Sequence, residues 1–273
     1  MRPLAPSPAP EAFTAVVPSP GGRLFAKVWG AAPGAGFART PIVLLHESLG
    51  SVEVWREFPA QLAAATGRPV VAYDRLGFGR SDPYPGAFPP DFIAREAGDG
   101  FAALRQALGI EDFIAFGHSV GGGMAVGVAA AHPQACRALI TLAAQSFVEE
   151  VTRDGIRAAK AAFAQPGQMD KLARYHGEKA AFVLSAWVDS WLAPGFDGWT
   201  LDDALPRISC PVLVLHGADD EYASPAQPRR IAAGVAGPVA LDILPGCGHV
   251  PHREHPELVL SSVTAFLRAH LQP

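Results

Sequence analysis

The chain is poor in several features that mark whole classes of protein. It has three cysteines, Cys136, Cys210 and Cys247, scattered and odd in number. That excludes a disulfide framework as the organising device and suits a reducing compartment. No apolar run is long enough to span a bilayer. Arg2 is followed by no apolar core, so no secretory signal is visible. There is no basic run, and the formal net charge of −4 has the wrong sign for a nucleic-acid surface. No internal repeat is present. These absences lead to the expectation of a cytoplasmic protein that binds neither membrane nor nucleic acid.

What is present is apolar. Of 273 residues, 49% are hydrophobic and 18% charged, enough for one large core with room for an inserted subdomain. Residues 1–10 are rich in Pro and Ala and are expected to be poorly ordered. Residues 13–17 and 23–29 read as a β-hairpin at a sheet edge, joined through the Pro/Gly-rich stretch 18–22. Short apolar runs follow at 41–46, 69–74, 112–116, 138–142, 210–216 and 239–244. Stretches of helical character at 54–66, 91–108, 124–132, 225–235 and 256–270 alternate with them. Such alternation implies a mostly parallel sheet with helices on both faces.

Residues 145–205 interrupt the alternation. Met169, Leu172, His176, Ala180, Val183, Trp187 and Trp191 step by three or four along one helical face, with Gly177 as a point where that helix can split. The expected division is a core of 1–144 and 206–273 with a helical insertion, 145–205, over the strand ends. Most of the insertion's aromatic residues should form its own core, with one or two lining a pocket.

In a parallel sheet the chemistry gathers at the carboxyl ends of the strands. His46, Asp74 and Ser119 lie at such ends. Gly117-His118-Ser119-Val120-Gly121 has the Gly-x-Ser-x-Gly form of a turn that lifts a serine hydroxyl above the sheet at the start of a helix. A hydroxyl is a weak nucleophile and needs a base oriented by a carboxylate. Two later loops supply these. Asp219 and Asp220 follow the 210–216 run, and His249 and His252 follow the 239–244 run. A metal site at Cys247, His249 and His252 is the rival reading, but no fourth ligand is evident. The stretch from Asp74 to Ser81 has phosphate-loop glycines but no P-loop lysine.

Five stretches in this order resemble the α/β-hydrolase superfamily, in its cap-bearing esterase and C–C-hydrolase branch, from about residue 13 onward. They are Leu45-His-Glu-Ser-Leu-Gly-Ser51, Asp74-Arg-Leu-Gly-Phe-Gly-Arg-Ser81, Gly117-His-Ser-Val-Gly-Gly122, His216-Gly-Ala-Asp-Asp220, and Gly248-His249 with Glu254 and Pro256. The resemblance implies the α/β-hydrolase fold, with Ser119 as nucleophile, His249 as general base and Asp220 rather than Asp219 as its orienting carboxylate. It implies an oxyanion hole made by the backbone N–H groups of Val120 and Ser48. It makes the Asp74 stretch a structural loop, and it implies no metal and no cofactor.

One departure stands out. The family usually has glycine after the histidine of the first stretch, and this chain has Glu47. A salt-bridged or outward-facing loop residue is the favoured role for it, and a carboxylate placed near the site is the alternative. The expected reaction is hydrolysis of a small to medium carboxylic ester through an acyl-serine. C–C cleavage of a diketo acid, lactone or thioester hydrolysis, and a ligand receptor on the same scaffold are the alternatives. A diketo acid would call for an arginine facing the pocket, with Arg153, Arg157 and Arg174 as candidates. The expected partner is a small-molecule substrate, and self-association is left open.

Overall fold

A computed structural model describes residues 11–271. The expectation for residues 1–10 lies outside them. Among the described residues the strands form one eight-stranded sheet in the order β1-β2-β4-β3-β5-β6-β7-β8. The strands are β1 (Ala12–Ser19), β2 (Gly22–Trp29), β3 (Ile42–Leu45), β4 (Val70–Tyr73), β5 (Phe113–His118), β6 (Cys136–Leu142), β7 (Val212–Gly217) and β8 (Val239–Leu244). β1 and β2 are antiparallel, and β2 joins β4 antiparallel. Every pairing from β4 through β8 is parallel. The fold is the expected mostly parallel α/β arrangement with an antiparallel hairpin at one edge.

The strand sequences explain the two-sided cover. Every residue of β3, β4, β5 and β7 is buried, and alternate residues serve opposite faces. Val43, Val71, Ala115 and Leu139 pack with one core, whereas Ile42, Val70, Ile114 and Ile140 pack with the other. The first core takes residues from α2 (Phe92–Arg95), α3 (Gly100–Leu108), α4 (Val120–Ala131) and α8 (Ala226–Gly234). The second takes Phe58 and Leu62 of α1 (Phe58–Thr66) and Val259, Val263 and Leu267 of α10 (Pro256–His270).

Two expected helices are broken. Over 54–66 a 3-10 turn, Val52–Trp55, precedes α1, because Arg56 takes φ 53° between them. Pro59 then occupies the first turn of α1, where its missing N–H costs nothing. Over 91–108, Gly98 and Gly100 flank Asp99, whose backbone (φ −98°, ψ −97°) is not helical, so α2 and α3 are separate. Glycine is a poor helix former.

Between β6 and β7 run α5 (Glu150–Phe163), α6 (Gln168–His176) and α7 (Ala180–Leu192), with Gly177 at the break between the last two. Leu172, Val183 and Ala186 form a small cluster with Phe78 of the Asp74 loop. His176 ties the segment down: its Nδ1 accepts the Gly79 N–H at 2.9 Å and its Nε2 donates to the Leu49 carbonyl at 3.0 Å. Lys179 Nζ donates to the carbonyls of Gly79 and Ser81, each at 2.8 Å.

Candidate active site

Ser119 sits between β5 and α4 with φ 56° and ψ −126°, a strained backbone for a residue with a side chain. The flanking glycines permit the turn. A Cβ on Gly117 would collide with the Gly121 carbonyl, and one on Gly121 would collide with the Leu45 carbonyl. The strain holds the hydroxyl at the carboxyl end of the sheet, at the opening of α4.

Three loops converge there. His249 Nε2 lies 2.9 Å from Ser119 Oγ, and His249 Nδ1 lies 2.8 and 2.9 Å from the two Asp220 oxygens. Asp220 Oδ1 also accepts the Tyr222 and Ala223 amides at 2.8 and 3.1 Å. Burial works to raise the Asp220 carboxyl, but the hydrogen bond and charge of His249 and the Tyr222 amide outweigh it and hold it below its ordinary value. An ionised Asp220 keeps the proton on Nδ1 and leaves Nε2 free to accept from the serine.

The neighbouring candidates go elsewhere. Asp219 is exposed and meets this region through its backbone N–H, which donates to the Cys247 carbonyl. His252 is buried against Trp55 and Phe58, with ring centroids 4.8 and 5.3 Å away. Glu254, on the short helix α9 (Pro251–Glu254), clamps the His249 loop by accepting the Gly248 and Val250 amides at 2.6 and 2.9 Å. Asp74 braces the other side, its carboxylate accepting the Val52 and Arg80 amides at 2.6 and 2.7 Å. His46 is a buried strut that donates from Nδ1 to the Glu47 carbonyl at 2.8 Å and accepts the Arg75 N–H on Nε2 at 3.2 Å.

Val120 opens α4, so no residue of its own helix can accept its N–H. Ser48 lines the same cavity as Ser119 and His249. Neither the Val120 nor the Ser48 N–H has a protein acceptor among the described residues. That cavity, of about 160 Å³, is walled by Ile156 of α5, Trp187 and Trp191 of α7, and Tyr222. Trp191 Nε1 is buried without a hydrogen-bond partner among the described residues.

Residues 40–192 match the family described as the alpha/beta hydrolase fold. The chain belongs to this family. It is similar to a non-heme chloroperoxidase of Streptomyces lividans, 28% identical over 93% of this chain and 99% of that one. It is also similar to 2-hydroxymuconate semialdehyde hydrolase of Pseudomonas sp. strain CF600, 28% identical over 86% and 88% of the two chains. A solved structure of 2-hydroxy-6-oxo-6-phenylhexa-2,4-dienoate hydrolase from Rhodococcus sp. strain RHA1 superposes with a TM-score of 0.79 at 19% identity, covering 95% of this chain and 99% of that one. This α/β-hydrolase is thus a hydrolytic enzyme by family, and no helix among its described residues is long and apolar enough to cross a membrane.

Sequence reasoning missed three contacts of this α/β-hydrolase. The Gln145 side-chain amide lies 3.4 Å from Ser119 Oγ. It follows β6, the neighbour of β5, so a survey of every strand-end loop would have flagged it. The Tyr222 ring packs on His249 with centroids 4.9 Å apart. Glu47 is half-buried and lines the Ser119 cavity, in keeping with the alternative that it places a carboxylate near the site; the missed contact is that its Oε2 lies 3.5 Å from His118 Nδ1. The partner is a histidine, a pairing that no spacing rule reaches.

Proposed function

We propose that this α/β-hydrolase cleaves small carboxylic esters by two-step acyl transfer through Ser119. The carrying observation is the hydrogen-bonded series from Ser119 through His249 to Asp220. His249 Nε2 takes the serine proton as Oγ attacks the carbonyl, and the Val120 and Ser48 amides receive the oxyanion. The same imidazolium then protonates the departing alcohol. Water, deprotonated by His249, releases the acid and regenerates Ser119. In this reading residues 145–205 act as the cap that encloses the acyl group.

A cavity of about 160 Å³ favours a short acyl chain, since sites for drug-sized ligands run to roughly 300–1,000 Å³. Resemblance to C–C hydrolases supports a diketo acid as a second reading. The cation needed for its carboxylate is missing from the described lining. Arg153 pairs with Asp197, and Arg157 pairs with Glu150 and Asp154. Arg174 borders a separate surface hollow with Glu178 and Lys179.

The test is a panel of activated esters of graded acyl length with a fluorophosphonate label and a Ser119→Ala control. Label confined to Ser119, with sustained turnover best on short chains, is the expected result. Label without ester turnover would overturn the substrate class, and no label would overturn the nucleophile.

A further inference from the structure

Glu47 is a carboxylate one residue from the Ser48 amide, in a cavity with no Lys or Arg among its described lining. Its Oε2 faces His118 at 3.5 Å. Its Oε1 has no hydrogen-bond partner on another described residue, and the side chain as a whole is 22% exposed. The same cavity is lined by Trp187, Trp191 and Tyr222, residue types whose ring faces attract cations.

His118 does not cancel this charge by necessity. Its Nε2 lies 2.8 Å from the His249 carbonyl. A carbonyl can only accept, so Nε2 carries a proton, and a neutral ring then presents a bare Nδ1 to Glu47. The spacing of 3.5 Å is long for a charge-assisted hydrogen bond. Of the other titratable groups near Glu47, His46 and Arg75 lie against its main chain, His249 lines the same cavity, and His176 and His252 are buried histidines that feel its charge. The Arg75 guanidinium donates to the Glu47 carbonyl at 3.1 Å, and Arg75 borders a different cavity, beside Glu96.

We infer that Glu47 selects esters carrying a protonated amine beside the scissile carbonyl, with an ammonium held between its free carboxylate oxygen and the aromatic wall. This rests on the acyl-transfer reading and narrows it to amino-acid-type esters. A carboxylate-bearing substrate would meet like charge in a confined space. A neutral ester would leave the second oxygen of a partly buried carboxylate without a partner, which costs free energy.

The test compares kcat/KM for L-alanine benzyl ester, benzyl propionate and monobenzyl succinate, which differ in charge near the carbonyl. At about pH 6.5 the alanine amine is protonated, being below the usual α-amino range of about 7.7–8.0. Wild-type protein should prefer the alanine ester over the propionate by roughly tenfold to a hundredfold, the scale of one hydrogen bond to a charged group, with the succinate slowest. In Glu47→Gln that ratio should fall toward one, and Glu47→Asp should keep part of it. Raising the pH to about 9, above that α-amino range, should erase the preference in wild-type protein without any substitution.

A wild-type ratio near one, or one unchanged at the higher pH, would overturn the inference. So would an equal loss on all three esters in Glu47→Gln, which would make Glu47 only a support for His118. Turnover of propionate without an ammonium preference would remove this inference alone. Failure of every ester, with Ser119 unlabelled, would remove the acyl-transfer reading as well.

Discussion

Asp220→Asn should silence the enzyme by reversing one tautomer. Asp220 Oδ1 is pinned by the Tyr222 and Ala223 amides at 2.8 and 3.1 Å. An asparagine must leave its oxygen there, because an NH2 group cannot accept. Its Nδ2 then takes the place of Oδ2, 2.8 Å from His249 Nδ1, and donates to it. The neutral ring responds by carrying its proton on Nε2, 2.9 Å from Ser119 Oγ, where it can no longer accept from the serine. The equivalent change in an established Ser-His-Asp enzyme costs about 10⁴ in kcat, which is about 5.4 kcal/mol at about 1.36 kcal/mol per decade. Both backbone hydrogen bonds survive, so stability should change little. Asp219→Asn alters an exposed side chain outside the hydrogen-bonded series, so kcat should stay near wild type and stability within about 0.5 kcal/mol. The assay is kcat on a short-chain activated ester for both variants, with thermal melts alongside. A loss under tenfold in Asp220→Asn, or an equal loss in Asp219→Asn, would refute the reasoning.

Two further outcomes concern stability. Ser119→Gly and Ser119→Ala should both be inactive. Glycine relieves the strain at φ 56°, so it should melt higher by a few degrees, matching a gain of about 1 kcal/mol after its own entropic cost; a lower melting point for the glycine variant would contradict the strain argument. Burial lifts the Glu96 carboxyl from 4.5 to about 7, against the opposing pull of Arg75. Its folded form holds the proton more tightly than the unfolded chain, so its contribution is present below the unfolded value and is lost as pH rises through that window. At about 1.36 kcal/mol per pH unit the loss is on the order of 3 kcal/mol. Glu96→Gln can still accept from the Tyr73 hydroxyl, which lies 2.5 Å from Glu96 Oε1. That variant should flatten the fall in urea midpoint as pH rises from about 5 to about 7.5; an unchanged slope would show that Glu96 is not its source.

Much of this architecture is legible along the chain because both faces of the sheet are covered. A strand buried on two sides must read as an unbroken apolar run, as 42–45, 70–73 and 212–215 do. The glycines of the Ser119 turn are legible for a similar reason, since backbone contact leaves no room for any other residue. The helix breaks near Arg56 and Asp99 were not, because a single residue's backbone angle decides them and apolar spacing passes over it. The pairing of Glu47 with His118, and the approach of Gln145 to Ser119, join loops from different strands. Such contacts depend on side-chain rotamers after the sheet has assembled, and linear spacing carries no information about them.

The unequal footing of the three side chains has a consequence for partial unfolding. Ser119 hangs from β5, which is flanked by β3 and β6. Asp220 follows β7 and His249 follows β8, which pairs with β7 alone and buries only Leu244. A strand held on one side frays at lower free-energy cost than one held on both. When β8 peels away, the His249 imidazole leaves with it, while the Ser119 turn and the central layers stay folded. Under the proposed mechanism the reaction rate therefore reports on the margin of the sheet, and a warm or mildly denatured sample can be idle and still native at its centre.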